Sequence, residues 1–178
     1  MKAVLFDRPG PPDVMKLVDL EIPSIEKNQV LIKVRYSGVN RPDIIQRAGN
    51  YPSPPGHSEI LGLEISGIIY KIGSNVTAFK EGDEVAALVN GGGYAEYCVA
   101  DQETAFKIPN NISLKEAATI PECFFTVWSN LVMRGGLKKN ACVLVHGGTS
   151  GIGVAAIQIL KLFDSEIFTI VRNEQKKE

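Results

Sequence analysis

Cys142-Val143-Leu144-Val145-His146-Gly147-Gly148-Thr149-Ser150-Gly151-Ile152-Gly153 is the stretch that decides the fold. Its first half is a short apolar run of the kind that fills a buried parallel strand. Its second half is dense in glycine, which lets a backbone turn tightly and approach a ligand closely. Val154 to Phe163 then reads as a helix, with apolar residues at 154, 157, 160 and 162. Glu166 to Val171 is a second strand of the buried type, so the whole is a βαβ unit. A helix that starts straight after such a turn offers unpaired N–H groups and a positive dipole end to the phosphates of a dinucleotide. The run is G-G-T-S-G-I-G rather than G-x-G-x-x-G, and a tight βα turn that binds nothing would look similar in isolation. The strand–turn–helix–strand context favours cofactor binding, which makes Gly148, Thr149, Ser150, Gly151, Ile152 and Gly153 candidate contacts.

The end of the second strand bears on which cofactor this is. NAD enzymes place an acid there for the ribose 2′-hydroxyl, whereas NADP enzymes tend to carry a basic residue. Here the strand ends Val171-Arg172-Asn173, with Glu174 close behind. Arg172 and Lys176 favour a 2′-phosphate, hence NADPH; the competing reading is an exposed basic tail. A full doubly wound sheet has about six strands, and two are legible.

Upstream the texture differs. Ser113-Leu114-Lys115-Glu116 is a capping-box signature that opens a helical stretch, and Pro121 breaks or restarts it. The next helix runs from about Glu122 to Met133 and stops at Gly135-Gly136. Before residue 110 the signals are mostly those of strands: Ala3–Phe6, Gln29–Tyr36 with its period of two, Ile65–Ile72 interrupted by Gly67, Glu84–Val89 and Tyr94–Val99. Many short strands between Gly/Pro turns indicate a barrel or sandwich. One short helix, from Pro42 towards a stop at Gly49, interrupts them, and Tyr51 to Gly56 is a stiff proline-rich loop. The expected organisation is residues 1–120 as a β-rich domain and residues 121–178 as the start of a dinucleotide-binding domain.

Composition excludes several classes. The 178 residues are 44% hydrophobic and 22% charged with a formal net charge of -1, which gives no electrostatic footprint for nucleic acid. No apolar run approaches the roughly 20 residues of a membrane span. The N-terminal apolar run meets Asp7 and Pro9-Gly10 too early for a signal peptide, so a cytoplasmic location is expected. Cys98, Cys123 and Cys142 form no C-x-x-C pair, which points to buried free thiols rather than a zinc ribbon or disulfide framework.

A longer resemblance runs through Gly38-Val39-Asn40-Arg41-Pro42-Asp43, Gly49-Asn50-Tyr51, Leu61 to Gly67, Val76 to Asp83, Gly92 to Tyr97, Ile120-Pro121-Glu122 and Val143 to Gly153. In these segments the chain resembles the zinc-free quinone oxidoreductases of the medium-chain dehydrogenase/reductase superfamily. Their fold pairs a GroES-like β-barrel catalytic domain with a Rossmann domain, an α+β part followed by an α/β part. The likeness extends only into the beginning of the second domain, so a truncated N-terminal portion is expected. Zinc alcohol dehydrogenases of the superfamily carry Cys where Asn40 stands and His where Leu63 stands, and the cysteine-rich lobe expected between Val89 and Tyr97 is missing; no metal site is therefore expected. Glu64 is expected to be structural, in the pocket floor, and His57 and His146 to be surface or packing residues.

The resemblance also implies roles. Asn40 and Tyr51 line the substrate side of the nicotinamide pocket, where an amide and a phenol can donate to a quinone oxygen. Thr126 faces the nicotinamide, and Ser150 lies near cofactor and active site. Each has a plainer alternative: helix N-cap for Asn40, packing on the prolines for Tyr51, back-bonding within its helix for Thr126 and a small turn residue for Ser150. The implied activity is NADPH-dependent hydride transfer to a small-molecule quinone or enone. An enoyl-thioester reductase and a non-catalytic fragment or split-enzyme part are the alternatives. A homo-oligomer or a complementing C-terminal chain is the implied macromolecular partner.

Overall fold

The computed structural model describes residues 1–176, Lys176 by its backbone alone. They divide into two compact units, Met1–Glu122 and the part from Cys123 onward.

The first unit is built on β pairing. β1 (Lys2–Leu5) pairs antiparallel with β2 (Lys16–Asp19). A five-stranded antiparallel sheet has the order β6-β3-β4-β5-β7, with β3 at Gln29–Ser37, β4 at Glu64–Ile72, β5 at Glu84–Leu88, β6 at Tyr97–Asp101 and β7 at Ala105–Lys107. The apolar residues of β3 to β6 meet in one core: Val30 and Ile32, Ile65 and Ile69, Val85 and Ala87, Cys98 and Ala100, closed by Val76 and Phe79. Leu31 is buried as well, so the period of two expected for β3 holds only beyond Ile32. The β3–β4 register breaks beside this point, between Leu31 and Ile32, and again between Val34 and Tyr36. The expected strand over Tyr94–Val99 begins three residues late. Ala95 makes only an isolated bridge to Ala3, because Tyr94 N–H is drawn to the Leu61 carbonyl at 2.8 Å.

Two short helices attach to this sheet. α1 (Arg41–Arg47) starts with Pro42 in its first turn and is followed by Gly49 at φ 84°. α2 (Leu114–Ala117) has the expected capping box: Glu116 N–H donates to Ser113 Oγ, and the Glu116 carboxylate accepts from Ser113 N–H at 2.9 Å. Ser66, fully buried on β4, donates its hydroxyl to the Leu114 carbonyl. α3 (Pro121–Val127) then continues as a π-helical segment, Trp128–Arg134.

The second unit contains β8 (Cys142–His146), α4 (Gly151–Leu162) and β9 (Glu166–Ile170), with β8 and β9 parallel and in register from Cys142 opposite Glu166 to His146 opposite Ile170. Its core joins Val127, Ala155, Ala156 and Ile159, with Cys123, Phe124, Leu131, Val145 and Phe163 against them. The apolar strands were expected to be buried, and here the structure differs. Leu144, Phe168 and Ile170 are each about half exposed. Among the described residues each strand has one neighbour, and α4 reaches only part of the sheet. The same reason leaves Cys142 exposed at the start of β8, whereas Cys98 is buried and Cys123 half-buried. No helix among the described residues is long and apolar enough to cross a membrane.

Candidate functional site

The two units each hold a part of the expected site. In the first, Asn40 stands at the N-cap of α1, half-buried, and faces Asp43 as a capping box. The Asp43 carboxylate is 2% exposed and accepts three hydrogen bonds. Asn40 N–H reaches Oδ2 at 2.8 Å, the Tyr94 hydroxyl reaches Oδ2 at 2.9 Å and Gly62 N–H reaches Oδ1 at 3.1 Å. Asp43 thus pins the helix start to two loops. Such a buried carboxylate is tolerated because its acceptor capacity is largely used.

Glu64, at the start of β4, is 3% exposed. Its Oε1 accepts from Asn40 Nδ2 at 2.8 Å and its Oε2 from Glu122 N–H at 3.0 Å. A Cβ at position 38 would overlap the Glu64 carboxylate, so Gly38 is the residue that makes room for it. Burial pushes the Glu64 carboxyl above its ordinary range; the bonds from Asn40 and Glu122 pull the other way, and Asp43 adds to the rise. Burial also raises Glu122, helped by the charges of Glu64 and Asp43. Tyr94 is held protonated by burial and by Asp43, which suits its role as donor. Cys98, in the sheet core, is pushed up to about 12 by burial and is inert as a nucleophile.

Tyr51 lies in the proline-rich segment with its side chain 45% exposed. His57 is exposed, its Nε2 3.5 Å from Asn90 Nδ2, and His146 is exposed at the end of β8. Asp43, Tyr94 and Glu122 were not singled out from the sequence. The available signal for Asp43 was the Asn-x-x-Asp spacing at a helix start, which is that of a capping box.

In the second unit three glycines of the turn, Gly147, Gly148 and Gly153, are required for different reasons. Gly147 adopts φ 71°, a conformation L side chains avoid. A Cβ on Gly148 would overlap the Thr169 side chain on β9, and one on Gly153 would strike the Gly147 carbonyl and the Gly148 backbone. Ser150 is the N-cap of α4. Its hydroxyl donates to the Gly147 carbonyl at 2.8 Å and accepts from Gly153 N–H at 3.0 Å. In this geometry the Ser150 side chain caps α4, and the same residue lines the pocket beside the turn. Thr149, Gly151 and Ile152 are exposed. Thr126 is half-buried on α3, its carbonyl taken by Asn130 Nδ2 at 2.8 Å.

A pocket of about 460 Å³ lies beside this turn, lined by Gly147, Thr149, Ser150, Ile170, Val171 and Arg172. The structure therefore brings Arg172 to the same cavity as the start of α4. Lys176, the second basic candidate, has its side chain outside the described part. The pocket fits a dinucleotide phosphate in three respects: a 12-residue helix starts at the turn, the turn carries no side chain at Gly147 or Gly148, and Arg172 is among the lining residues.

The comparisons with known proteins agree with this architecture. Residues 26–110 match the alcohol dehydrogenase GroES-like domain. The chain is 39% identical over 163 residues to a quinone oxidoreductase of Lama guanicoe, covering 90% of the chain and 49% of that protein. It is 36% identical over 177 residues to the quinone oxidoreductase of Homo sapiens, covering 98% of the chain and 54% of the relative. Among solved structures it superposes on the CurK enoyl reductase with a TM-score of 0.88 at 25% identity, over 99% of this chain and 55% of that one. A mycobacterial protein complexed with NADPH gives 0.86 at 29% identity, over 99% and 55%. The chain spans about half the length of the curated relatives it matches. The GroES-like domain match, the βαβ unit that follows it and these relatives agree on the architecture, and the chain is similar over nearly its whole length to quinone oxidoreductases of the medium-chain dehydrogenase/reductase type.

Proposed function

We propose that this chain carries the nucleotide-binding turn and the substrate-side donors of a zinc-independent, NADPH-dependent reductase that passes hydride to a quinone or another activated alkene. The observation that carries the reading is the pocket in which the glycine turn and Arg172 meet. The turn from Gly147 to Gly153 and the N-terminus of α4 would hold the pyrophosphate, and Arg172, with Lys176 as a second cation, the 2′-phosphate. When bound, the nicotinamide supplies the hydride.

The remaining chemistry falls to side chains of the first unit. Reduction of a quinone places negative charge on a carbonyl oxygen, and a preorganised N–H or O–H at that point lowers the barrier. Asn40 has an N–H left to give, because its Nδ2 has two hydrogens and Glu64 takes one. Tyr51 offers a phenol from the exposed loop. An amide at position 40 and an aliphatic side chain at 63 are not zinc-ligand types, which is why the proposal routes nothing through a metal. Thr126 belongs to the proposed nicotinamide contacts. Ser150 supports the turn that holds the phosphates.

The test is consumption of NADPH by the full chain with a benzoquinone as acceptor. Activity is expected, and Asn40→Ala should cost about a hundredfold in kcat if the amide is the oxyanion donor. Turnover unaffected by Asn40→Ala would remove that assignment.

The superposition on CurK enoyl reductase favours a second reading, reduction of an enoyl thioester. An enoyl thioester consumed faster than any quinone would select it. A third reading rests on the exposed Leu144, Phe168 and Ile170: the second unit takes its remaining cover from further polypeptide, as a complementing chain or a second copy, and is non-catalytic without it. Recovery of turnover on supplying that cover would favour this reading.

A further inference from the structure

Asn40 is gripped twice. Its backbone N–H goes to Asp43 Oδ2 at 2.8 Å and its side-chain Nδ2 to Glu64 Oε1 at 2.8 Å. A carboxylate only accepts, so it fixes which end of the amide faces it. Turned the other way, Asn40 would set its carbonyl oxygen against the Glu64 oxygen. The Glu64 carboxylate is itself held. Its second oxygen takes the Glu122 N–H at 3.0 Å at the beginning of α3, and the space it occupies exists only because residue 38 lacks a Cβ.

We infer that Glu64 is a positioning residue: it locks the Asn40 amide with Nδ2 inward, so that Asn40 presents an N–H donor and not a carbonyl acceptor to whatever lies on its open side. The inference deepens the reading of Asn40 as the substrate-side donor and rests on it for its use, though not for its test. It also restricts the ligand class. An oxygen that gains negative charge is served by this arrangement, whereas a substrate hydroxyl that must give up a proton is not. Glu64→Gln is nearly isosteric but can satisfy only one of its two donors, since its own amide nitrogen would oppose either Asn40 Nδ2 or Glu122 N–H.

Side-chain amide resonances give a readout that a purely structural glutamate would not move. In the full chain labelled with 15N at asparagine, Asn40→Asp identifies the Asn40 pair by deleting it. Asn130, bonded to the Thr126 carbonyl, and Asn75, bonded to Asn28, serve as internal references. We expect Glu64→Gln to shift the Asn40 pair and leave the two references in place. Glu64→Asp keeps the charge but withdraws it by one methylene, and it should shift the same pair; this variant stands in should Glu64→Gln not fold. In the unmutated chain the Asn40 pair should also follow pH as Glu64 is protonated. Asp43 on α1, Glu122 on α3 and Tyr94 before β6 face the same carboxylate, so the movement attributed to Glu64 is the part that Glu64→Gln abolishes. An Asn40 pair unmoved by both substitutions, or one whose pH response survives Glu64→Gln, overturns the inference. The spectrum is read without turnover, so a chain inactive towards quinones would count against the proposed function and not against the clamp.

Discussion

At the scale of single residues, three glycines carry much of the site. Gly38 is required by the Glu64 carboxylate, Gly148 by the Thr169 side chain and Gly153 by backbone. The last two differ in what must yield. A methyl at 148 meets a side chain that can be shortened, so Gly148→Ala should cost about 1–3 kcal/mol, with much of it recovered in the double variant with Thr169→Ala. A methyl at 153 meets the Gly147 carbonyl and the Gly148 backbone, and Thr169→Ala should recover nothing there. Denaturant unfolding of the four variants decides this; equal recovery at both positions would contradict the geometry. Glu64 gives a pH-dependent prediction. Its folded value lies above the ordinary 4.5, so between the two values the native chain binds more protons than the unfolded chain. Its contribution to stability therefore falls as pH rises through that window. The stability of the unmutated chain minus that of Glu64→Gln should decline as pH rises above about 4.5 and level off beyond the folded value. A difference that rises with pH, measured by chemical unfolding across the range, would refute the assignment of a raised value.

At the scale of elements, what could be read in the sequence was what local chemistry decides. The capping box at Ser113, the stop at Gly49 and the strand–turn–helix–strand order after Cys142 all follow from residues within a few positions of one another. β2 and β7 could not be read this way. Lys16–Asp19 and Ala105–Lys107 are strands because β1 and β5 pair with them, and three or four residues carry no periodicity of their own. The stretch around Tyr94 misled for the opposite reason. Its alternation is real, but Tyr94 is drawn to Leu61 and Asp43, distant partners that no local pattern announces. The acid cluster was hidden likewise, since Asp43, Glu64 and Glu122 are brought together only by the fold. Ser150 is legible in the sequence as a residue of the turn, and the structure shows it capping α4. As the N-cap of α4, Ser150→Ala should lower stability by about 0.5–2 kcal/mol and Ser150→Asp by much less. The ratio of NADPH to NADH affinity should stay constant in both. A change in that ratio, measured by titration with each cofactor, would give Ser150 a part in telling the 2′-phosphate from the 2′-hydroxyl.

At the scale of the whole molecule, the proposed chemistry draws on residues of both units. The first holds the Asn40 amide, its Nδ2 bonded to the buried Glu64 and its backbone N–H to the buried Asp43, and the second holds a glycine turn beside a pocket that Arg172 lines. Exposed Leu144, Phe168 and Ile170 show that the βαβ unit has apolar surface without cover among the described residues, so its capacity to bind a dinucleotide is the point on which the account turns. The direct measurement is thermal unfolding of the full chain with excess NADPH, with NADH as the comparison and Arg172→Ala as the control. A ligand that binds only the folded form adds roughly 2.7 kcal/mol at 100 times its dissociation constant. A cooperative transition that NADPH raises more than NADH is expected, with the margin lost in Arg172→Ala. A transition indifferent to both cofactors would contradict it.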